Sequence, residues 1–248
     1  MIRKILVSQP QPQSEHNPYT EMASRFGVTF DFRPLTHIEG FGAKEFRQQR
    51  IYLEDYTAVL MNSRIAVDQF FRMCQEVRFQ VPEKMHYYCN SDSVANYLQK
   101  YIQYRKRRVF FAEHNGHFEE LLPIMNRRPN EKYMMVASET HTDEVINFFA
   151  GHGISIRPVK MYRTVSTPWP ENEPFDYDMV VLFSAANALS LRENFPALKQ
   201  GDKVIAALGN LTQATLCEMG ITPDIQVPSP KFHSITEAIQ DYLENHQE

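Results

Sequence analysis

No run of about 20 apolar residues, the length needed to cross a bilayer as a helix, occurs in the 248-residue chain. The longest apolar stretches, such as Ala58–Met61 and Met179–Phe183, have the length of strands. Met1-Ile2-Arg3-Lys4 runs straight into Ile5-Leu6-Val7 without an apolar signal core or small-residue cleavage site, so a cytoplasmic protein is expected. Cysteine is scarce: Cys74, Cys89 and Cys217 are widely spaced, odd in number and form no C-x-x-C pair. That excludes a disulfide framework and a zinc knuckle, and leaves small buried hydrophobes in a reducing compartment. An excess of positive charge is missing too. The net charge of −4 argues against nucleic acid as a partner, while a locally positive pocket for an anionic small molecule stays compatible with it. No G-x-G-x-x-G, Walker loop or G-x-S-x-G elbow occurs, so no nucleotide cofactor is expected. His114 and His117 stand three apart without a carboxylate or cysteine at ligand spacing, and His141 and His152 lack recognisable partners, so no metal is expected either.

What the chain does have is hydrophobic content of 43% with 23% charged residues, ordinary for a globular protein. Its length suits two domains. Short apolar strands alternate with amphipathic helices almost throughout, the pattern of an α/β fold with parallel sheets. Strands are expected at Lys4–Ser8, Val28–Pro34, Ala58–Met61, Lys84–Cys89, Val109–Ala112, Tyr133–Ala137, Ile154–Tyr162, Met179–Phe183, Lys203–Leu208 and Ile225–Val227. Helices fall between them, including Val94–Tyr104, where Val94, Tyr97, Leu98 and Tyr101 share one face, one near His117–Met125 and a last one from Ser234 to Asn245. Pro168, Pro170 and Pro174 preclude regular helix across Val165–Tyr177.

Two segments resemble each other. Asp55-Tyr56, the strand Ala58–Met61 and then Asn62-Ser63-Arg64 parallel Asp176-Tyr177, the strand Met179–Leu182 and then Phe183-Ser184-Ala185. Each is followed by a second strand-to-helix turn bearing hydroxyls, Asn90-Ser91-Asp92-Ser93 and Gly209-Asn210-Leu211-Thr212. The chain therefore reads as two related α/β lobes. A serine or threonine at the carboxyl end of a parallel strand caps the following helix. The N–H groups around it point outward into the crevice, where the helix dipole favours negative charge. Ligands of open α/β sheets bind at this edge. Four such turns could hold a polyanion; simple helix capping accounts for any one of them alone.

Val204-Ile205-Ala206-Ala207-Leu208-Gly209-Asn210-Leu211-Thr212, leading into a helix that ends at Gly220, resembles the late signature of uroporphyrinogen-III synthases. Leu182-Phe183-Ser184 resembles that family's preceding turn, Asn62-Ser63 the equivalent turn of the other lobe, and Ile156–Thr164 the interlobe strand with its characteristic tyrosine, here Tyr162. The resemblance spans nearly the whole chain in order. It departs at Gln9, where the family often has arginine, at Ala186, where a second serine is common, and at the altered turn Asn90–Ser93.

The resemblance implies two doubly wound parallel-sheet lobes joined by a two-stranded hinge, residues 1–34 and 163–248 forming one lobe and 35–162 the other. It implies cyclisation of hydroxymethylbilane, a linear tetrapyrrole polycarboxylate, with inversion of ring D and loss of water. The partner would be this small molecule, with no nucleic acid or membrane, no cofactor and a monomeric chain. Tyr162 would assist departure of the hydroxyl group. Ser63, Arg64, Ser91, Ser93, Ser184, Ala185, Gly209 and Thr212 would bind carboxylates. A non-catalytic relative that binds a tetrapyrrole or another polyanion is the alternative, resting on the altered turn and Gln9.

Overall fold

A computed structural model describes residues 2–114, 116–140, 143–199 and 201–246; His141, considered above, lies outside them. The chain divides into two compact units, residues 1–37 with 164–248, and residues 38–163.

The first unit begins with β1 (Lys4–Val7), α1 (Pro18–Phe26) and β2 (Thr29–Phe32). The chain then passes through β3 (Thr36–Gly40) into the second unit. There follow α2 (Ala43–Gln48), β4 (Ala58–Met61), α3 (Arg64–Glu76), β5 (His86–Cys89), α4 (Asp92–Tyr97), β6 (Val109–Phe111), α5 (Leu122–Asn126), β7 (Tyr133–Ser138), α6 (Glu144–Gly151) and β8 (Ile156–Ser166). The first unit resumes with β9 (Met179–Leu182), α7 (Ala185–Asn194), β10 (Val204–Leu208), α8 (Asn210–Glu218), β11 (Ile225–Val227) and α9 (Ile235–His246). One sheet has the order β11-β10-β9-β1-β2 and the other β3-β8-β7-β4-β5-β6. The ladders β1–β2, β1–β9, β9–β10, β10–β11, β4–β5, β4–β7, β5–β6 and β7–β8 are parallel. The expected α/β class with two mostly parallel sheets is thus the one observed.

Strands read as continuous apolar runs because helices cover both faces of these sheets. In β4, Val59 and Met61 face one core while Ala58 and Leu60 face the other. In β9, Met179 and Val181 divide from Val180 and Leu182 in the same way. Each fully buried large aliphatic contributes about 1.5–3 kcal/mol.

Several boundaries differ from expectation for local reasons. β3 is not among the expected strands: Thr36-His37-Ile38-Glu39-Gly40 has little apolar content and lies at a sheet edge, half exposed. Gly40 fits there because a Cβ would sit 2.4 Å from Gln69 Oε1 and 2.6 Å from the Arg72 guanidinium. Arg72 in turn donates to the Phe41 carbonyl at 2.6 Å, tying α3 to the end of β3. The helix expected over Val94–Tyr104 stops at Tyr97 and tightens into a 3₁₀ turn at Leu98–Lys100. A 3₁₀ turn brings positions i and i+3 into line, and Tyr97 and Lys100, with Tyr101, all donate to Asp68 on α3. The helix expected near His117–Met125 is instead a 3₁₀ turn, Phe118–Leu121, running into α5. β8 runs four residues past Tyr162, to Ser166. Beyond it, Trp169 packs edge-on to Phe175, Tyr177 and Phe195, so the proline-rich segment is ordered by aromatic contacts without helix or strand. Cys74 and Cys89 are buried, burial pushing both thiols up to about 12, but Cys217 is exposed on α8. No helix among the described residues is long and apolar enough to cross a membrane.

Candidate active site

Four strand-to-helix turns stand at the carboxyl ends of parallel strands, two in each unit. In the second unit, β4 and β5 are in register with Met61 opposite Cys89, which brings Ser63 level with Ser91. In the first, Leu182 opposite Ala207 brings Ser184 level with Gly209. Ser63, Ser91 and Ser184 are all extended N-caps, their hydroxyls accepting from the N–H groups of Ala66 at 3.1 Å, Val94 at 3.4 Å and Asn187 at 3.2 Å. Those bonds account for the hydroxyls. The N–H groups of the two residues after each cap keep no partner among the described residues, as a helix start requires.

The turns are not equivalent. α3, α7 and α8 carry no acidic residue in their first turns, nor does the five-residue α5, whereas α1, α2, α4, α6 and α9 do. An acid in the first turn neutralises the helix dipole and repels an incoming anion. Asp92 does this at the start of α4, which is only six residues long, so the turn of Ser91 and the exposed Ser93 is the least favourable of the four to an anion. In the same turn Asn90 Oδ1 is buried without a hydrogen-bond partner among the described residues. At α3 the first helical residue is the exposed Arg64, a cation where the dipole disfavours one. Its guanidinium lies 5.4 Å from the centre of the Tyr97 ring, whose hydroxyl is held by Asp68.

Gly209 contributes conformation. Its φ of 91° lies in the region that favours glycine, and its own N–H is committed to the Val227 carbonyl at 2.6 Å. The donors at that turn are therefore the N–H groups of Asn210 and Leu211, while Thr212 is buried to 2% exposure with its hydroxyl beside Gly209. Ala185 offers its N–H at the equivalent place on α7.

Tyr162 lies in β8 at a bulge: Ala137 pairs with Lys160 and Ser138 with Tyr162, leaving Met161 without an opposite residue. The Phe41 N–H bonds the Met161 carbonyl at 2.9 Å from the other side, so the insertion leaves that group satisfied. The bulge turns Met161 and Tyr162 into one core together with Val59, Met61 and Ala66. Tyr162 is 8% exposed. Burial raises its phenol above the usual tyrosine range, and the Ser63 hydroxyl close to it offsets part of that rise. The structure thus brings Tyr162 and Ser63 together within the second unit.

Other groups escape sequence reasoning. Ile65 and Leu211 hold the second helical positions of α3 and α8 and are 39% and 73% exposed, large apolar side chains beside free N–H groups. Asn187 is buried in the first unit: its Oδ1 accepts from Ser8 Oγ at 3.1 Å and its Nδ2 donates to Thr36 Oγ1 at 3.1 Å. With Ser190, which donates to the Leu35 carbonyl, and Asn194, which donates to the Thr167 carbonyl, it forms a polar face on α7. The spacing 187, 190, 194 is the available signal. Asn187→Ala should cost about 2–3 kcal/mol of stability by leaving the Ser8 and Thr36 hydroxyls unpaired. Chemical denaturation showing a loss under about 0.5 kcal/mol would remove Asn187 as the tie holding α7 in place.

His114 and His152 have other partners. His114 Nδ1 lies 2.5 Å from Glu120 Oε1, so a carboxylate does accompany it, contrary to expectation, but as an exposed pair. His152 Nδ1 lies 2.8 Å from the Phe148 carbonyl. No group of three His, Cys, Asp or Glu suited to a metal occurs among the described residues.

The profile of the family described as Uroporphyrinogen-III synthase HemD matches residues 17–237. No curated protein sequence gives a significant match. Among solved structures, the chain is similar to the uroporphyrinogen-III synthetase of Helicobacter pylori, with 15% identity, 99% of this chain and 100% of that one covered, and a TM-score of 0.62. It is also similar to a mutant uroporphyrinogen III synthase of Thermus thermophilus, with 17% identity, 99% of each chain covered and a TM-score of 0.53.

Proposed function

The chain belongs to the uroporphyrinogen-III synthase family, and on that premise we infer that it converts hydroxymethylbilane to the cyclic tetrapyrrole with its last ring inverted, releasing water. Loss of the terminal hydroxyl gives an azafulvene. The substituted carbon of ring D attacks it, forming a spiro intermediate that fragments and recloses with that ring reversed. The substrate also closes unaided to the uninverted isomer, so the protein's task is chiefly to hold the chain in the conformation from which the other carbon attacks.

The observation that carries this reading to particular residues is the acid-free start of α3, α7 and α8. Uncompensated helix N-termini suit a ligand with many carboxylates and an apolar body. The N–H groups after Ser63, Ser184 and Gly209 bind the carboxylates, Arg64 adds a full positive charge, and Ile65 and Leu211 offer apolar surface to the pyrrole rings. Ser91 and Ser93 contribute less, because Asp92 occupies their turn. Thr212 shapes the Gly209 turn from a buried position. Tyr162, protonated at neutral pH and next to Ser63, donates a hydrogen bond to the departing hydroxyl.

The test supplies hydroxymethylbilane, oxidises the products and separates the uroporphyrin isomers. Isomer III above the spontaneous background is expected. Isomer I alone, with the ligand still stabilising the protein against heat, would assign a binding role without catalysis.

A further inference from the structure

A cavity lies in the residue 38–163 unit, at the end of α3 opposite the Ser63 turn. It has a volume of about 720 Å³ and is formed where α2 and α3 end and the chain approaches β4 and β5. Ser63 caps the start of α3 and Arg78 follows its end. The 13 residues of that helix separate the two by about 20 Å. The volume falls within the ~300–1,000 Å³ typical of small-molecule sites.

Its lining has two parts. Phe46, Ile51 and Leu53 are buried side chains that form an apolar floor, with Phe79 packed against the same core. Arg47, Arg50 and Arg78 stand at the rim, and none of the three guanidinium groups meets a carboxylate or hydrogen-bond acceptor among the described residues. Arg72, Arg105, Arg108, Arg128 and Arg163 of the same unit are in ion pairs, whereas the three at this cavity are not. Glu54 also lines the cavity, which leaves three cations against one carboxylate.

Arg50 and Arg78 share a further property. They have φ of 54° and 60° and are the non-glycine residues with positive φ among the described residues. Each follows a helix end, where an ordinary chain places glycine, and each carries a steric cost of about 1 kcal/mol that glycine would not. Favourable contact with the helix dipole explains a cation within a last turn, and Arg47 already supplies one in α2. It does not explain two strained arginines from separate helices converging on one cavity.

We propose that this cavity binds a small aromatic molecule carrying two or more anionic groups, its ring on the floor of Phe46, Ile51 and Leu53 and its anions on Arg47, Arg50 and Arg78. Carboxylates and phosphates are both served by guanidinium forks. The site is separate from cyclisation and does not rest on it.

Calorimetric titration with ATP and with benzene-1,2,4,5-tetracarboxylate distinguishes the two anion chemistries, and inorganic phosphate controls for charge without a ring. At least one aromatic anion should bind saturably, with inorganic phosphate at least about tenfold weaker. The variants Arg50→Gly and Arg78→Gly should each weaken binding about tenfold while leaving thermal stability unchanged or raised, since glycine relieves the backbone. An Ala185→Asp variant, altered at the other site, should bind these probes as the parent does. Absence of saturable binding to the parent protein up to about 1 mM, or full binding by the double glycine variant, overturns the proposal. Loss of binding in Ala185→Asp would assign the signal to the cyclisation site and overturn it equally.

Discussion

Tyr162→Phe is expected to lower kcat for formation of isomer III about 100-fold, the usual worth of a positioned acid or hydrogen-bond donor. The fold should scarcely notice. Phenylalanine keeps the ring that packs with Met161, Val59 and Ala66 and removes one hydroxyl close to Ser63, a loss of about 1 kcal/mol. Activity and stability therefore separate at this residue. Burial raises the Tyr162 phenol, so the donor stays protonated from neutral pH upward and is lost only as pH climbs through its elevated value. The parent enzyme should accordingly keep its activity beyond the ordinary tyrosine range near ~10, and the variant should lack that alkaline limb. Isomer III production within about twofold of the parent would remove Tyr162 from the chemistry.

Ala185→Asp should move stability and activity in opposite directions. Ala185 is the first residue of α7, whose first turn has no acid. An aspartate there complements the dipole and adds about 0.3–1 kcal/mol to stability. It also places a negative charge where a substrate carboxylate is to sit. Two such charges about 4 Å apart repel by about 4 kcal/mol at an effective dielectric near 20. After discount for solvent, a fall in kcat/KM of about 10- to 100-fold is expected, largest at low salt. Ala185→Asn, similar in size and uncharged, should remain within a few-fold of the parent. If the aspartate variant turns over normally at low ionic strength, α7 does not bind a carboxylate. The same comparison distinguishes capping for its own sake from capping that serves a ligand: only the second predicts a more stable and less active protein.

The parts of the fold and site that are legible in the sequence are those set by local pattern. A buried strand followed by serine and an amphipathic helix reads the same way at Ser63 and at Ser184, and both are N-caps in the structure. Gly209 is visible as a turn, but not that its N–H continues the ladder to β11, because that depends on a strand 16 residues later. The bulge at Met161 is illegible for a similar reason. It arises from a mismatch between β7 and β8, and a mismatch belongs to the pair, not to either strand. The Asn187 network is hidden by chemistry. Its partners Ser8 and Thr36 are distant in sequence and individually ordinary polar residues. Arg50 and Arg78 cannot be singled out, since nothing in an arginine's neighbours announces a positive φ.

The discontinuity of the first unit bears on the order in which the protein can assemble. Its sheet is built around β1, which pairs with β2 on one side and with β9 on the other. Val7 finds its partner Val181 only across the whole of the second unit. On a growing chain, β1 and β2 emerge first as a two-stranded fragment, too small to be stable alone. The ladders joining β4 to β5, β5 to β6 and β4 to β7 are all available once Ser138 has been made, well before β9 appears. The apolar segment Ile5-Leu6-Val7 therefore has little more than α1 and β2 to shelter it for most of synthesis, which leaves it open to misassociation until β9 is made.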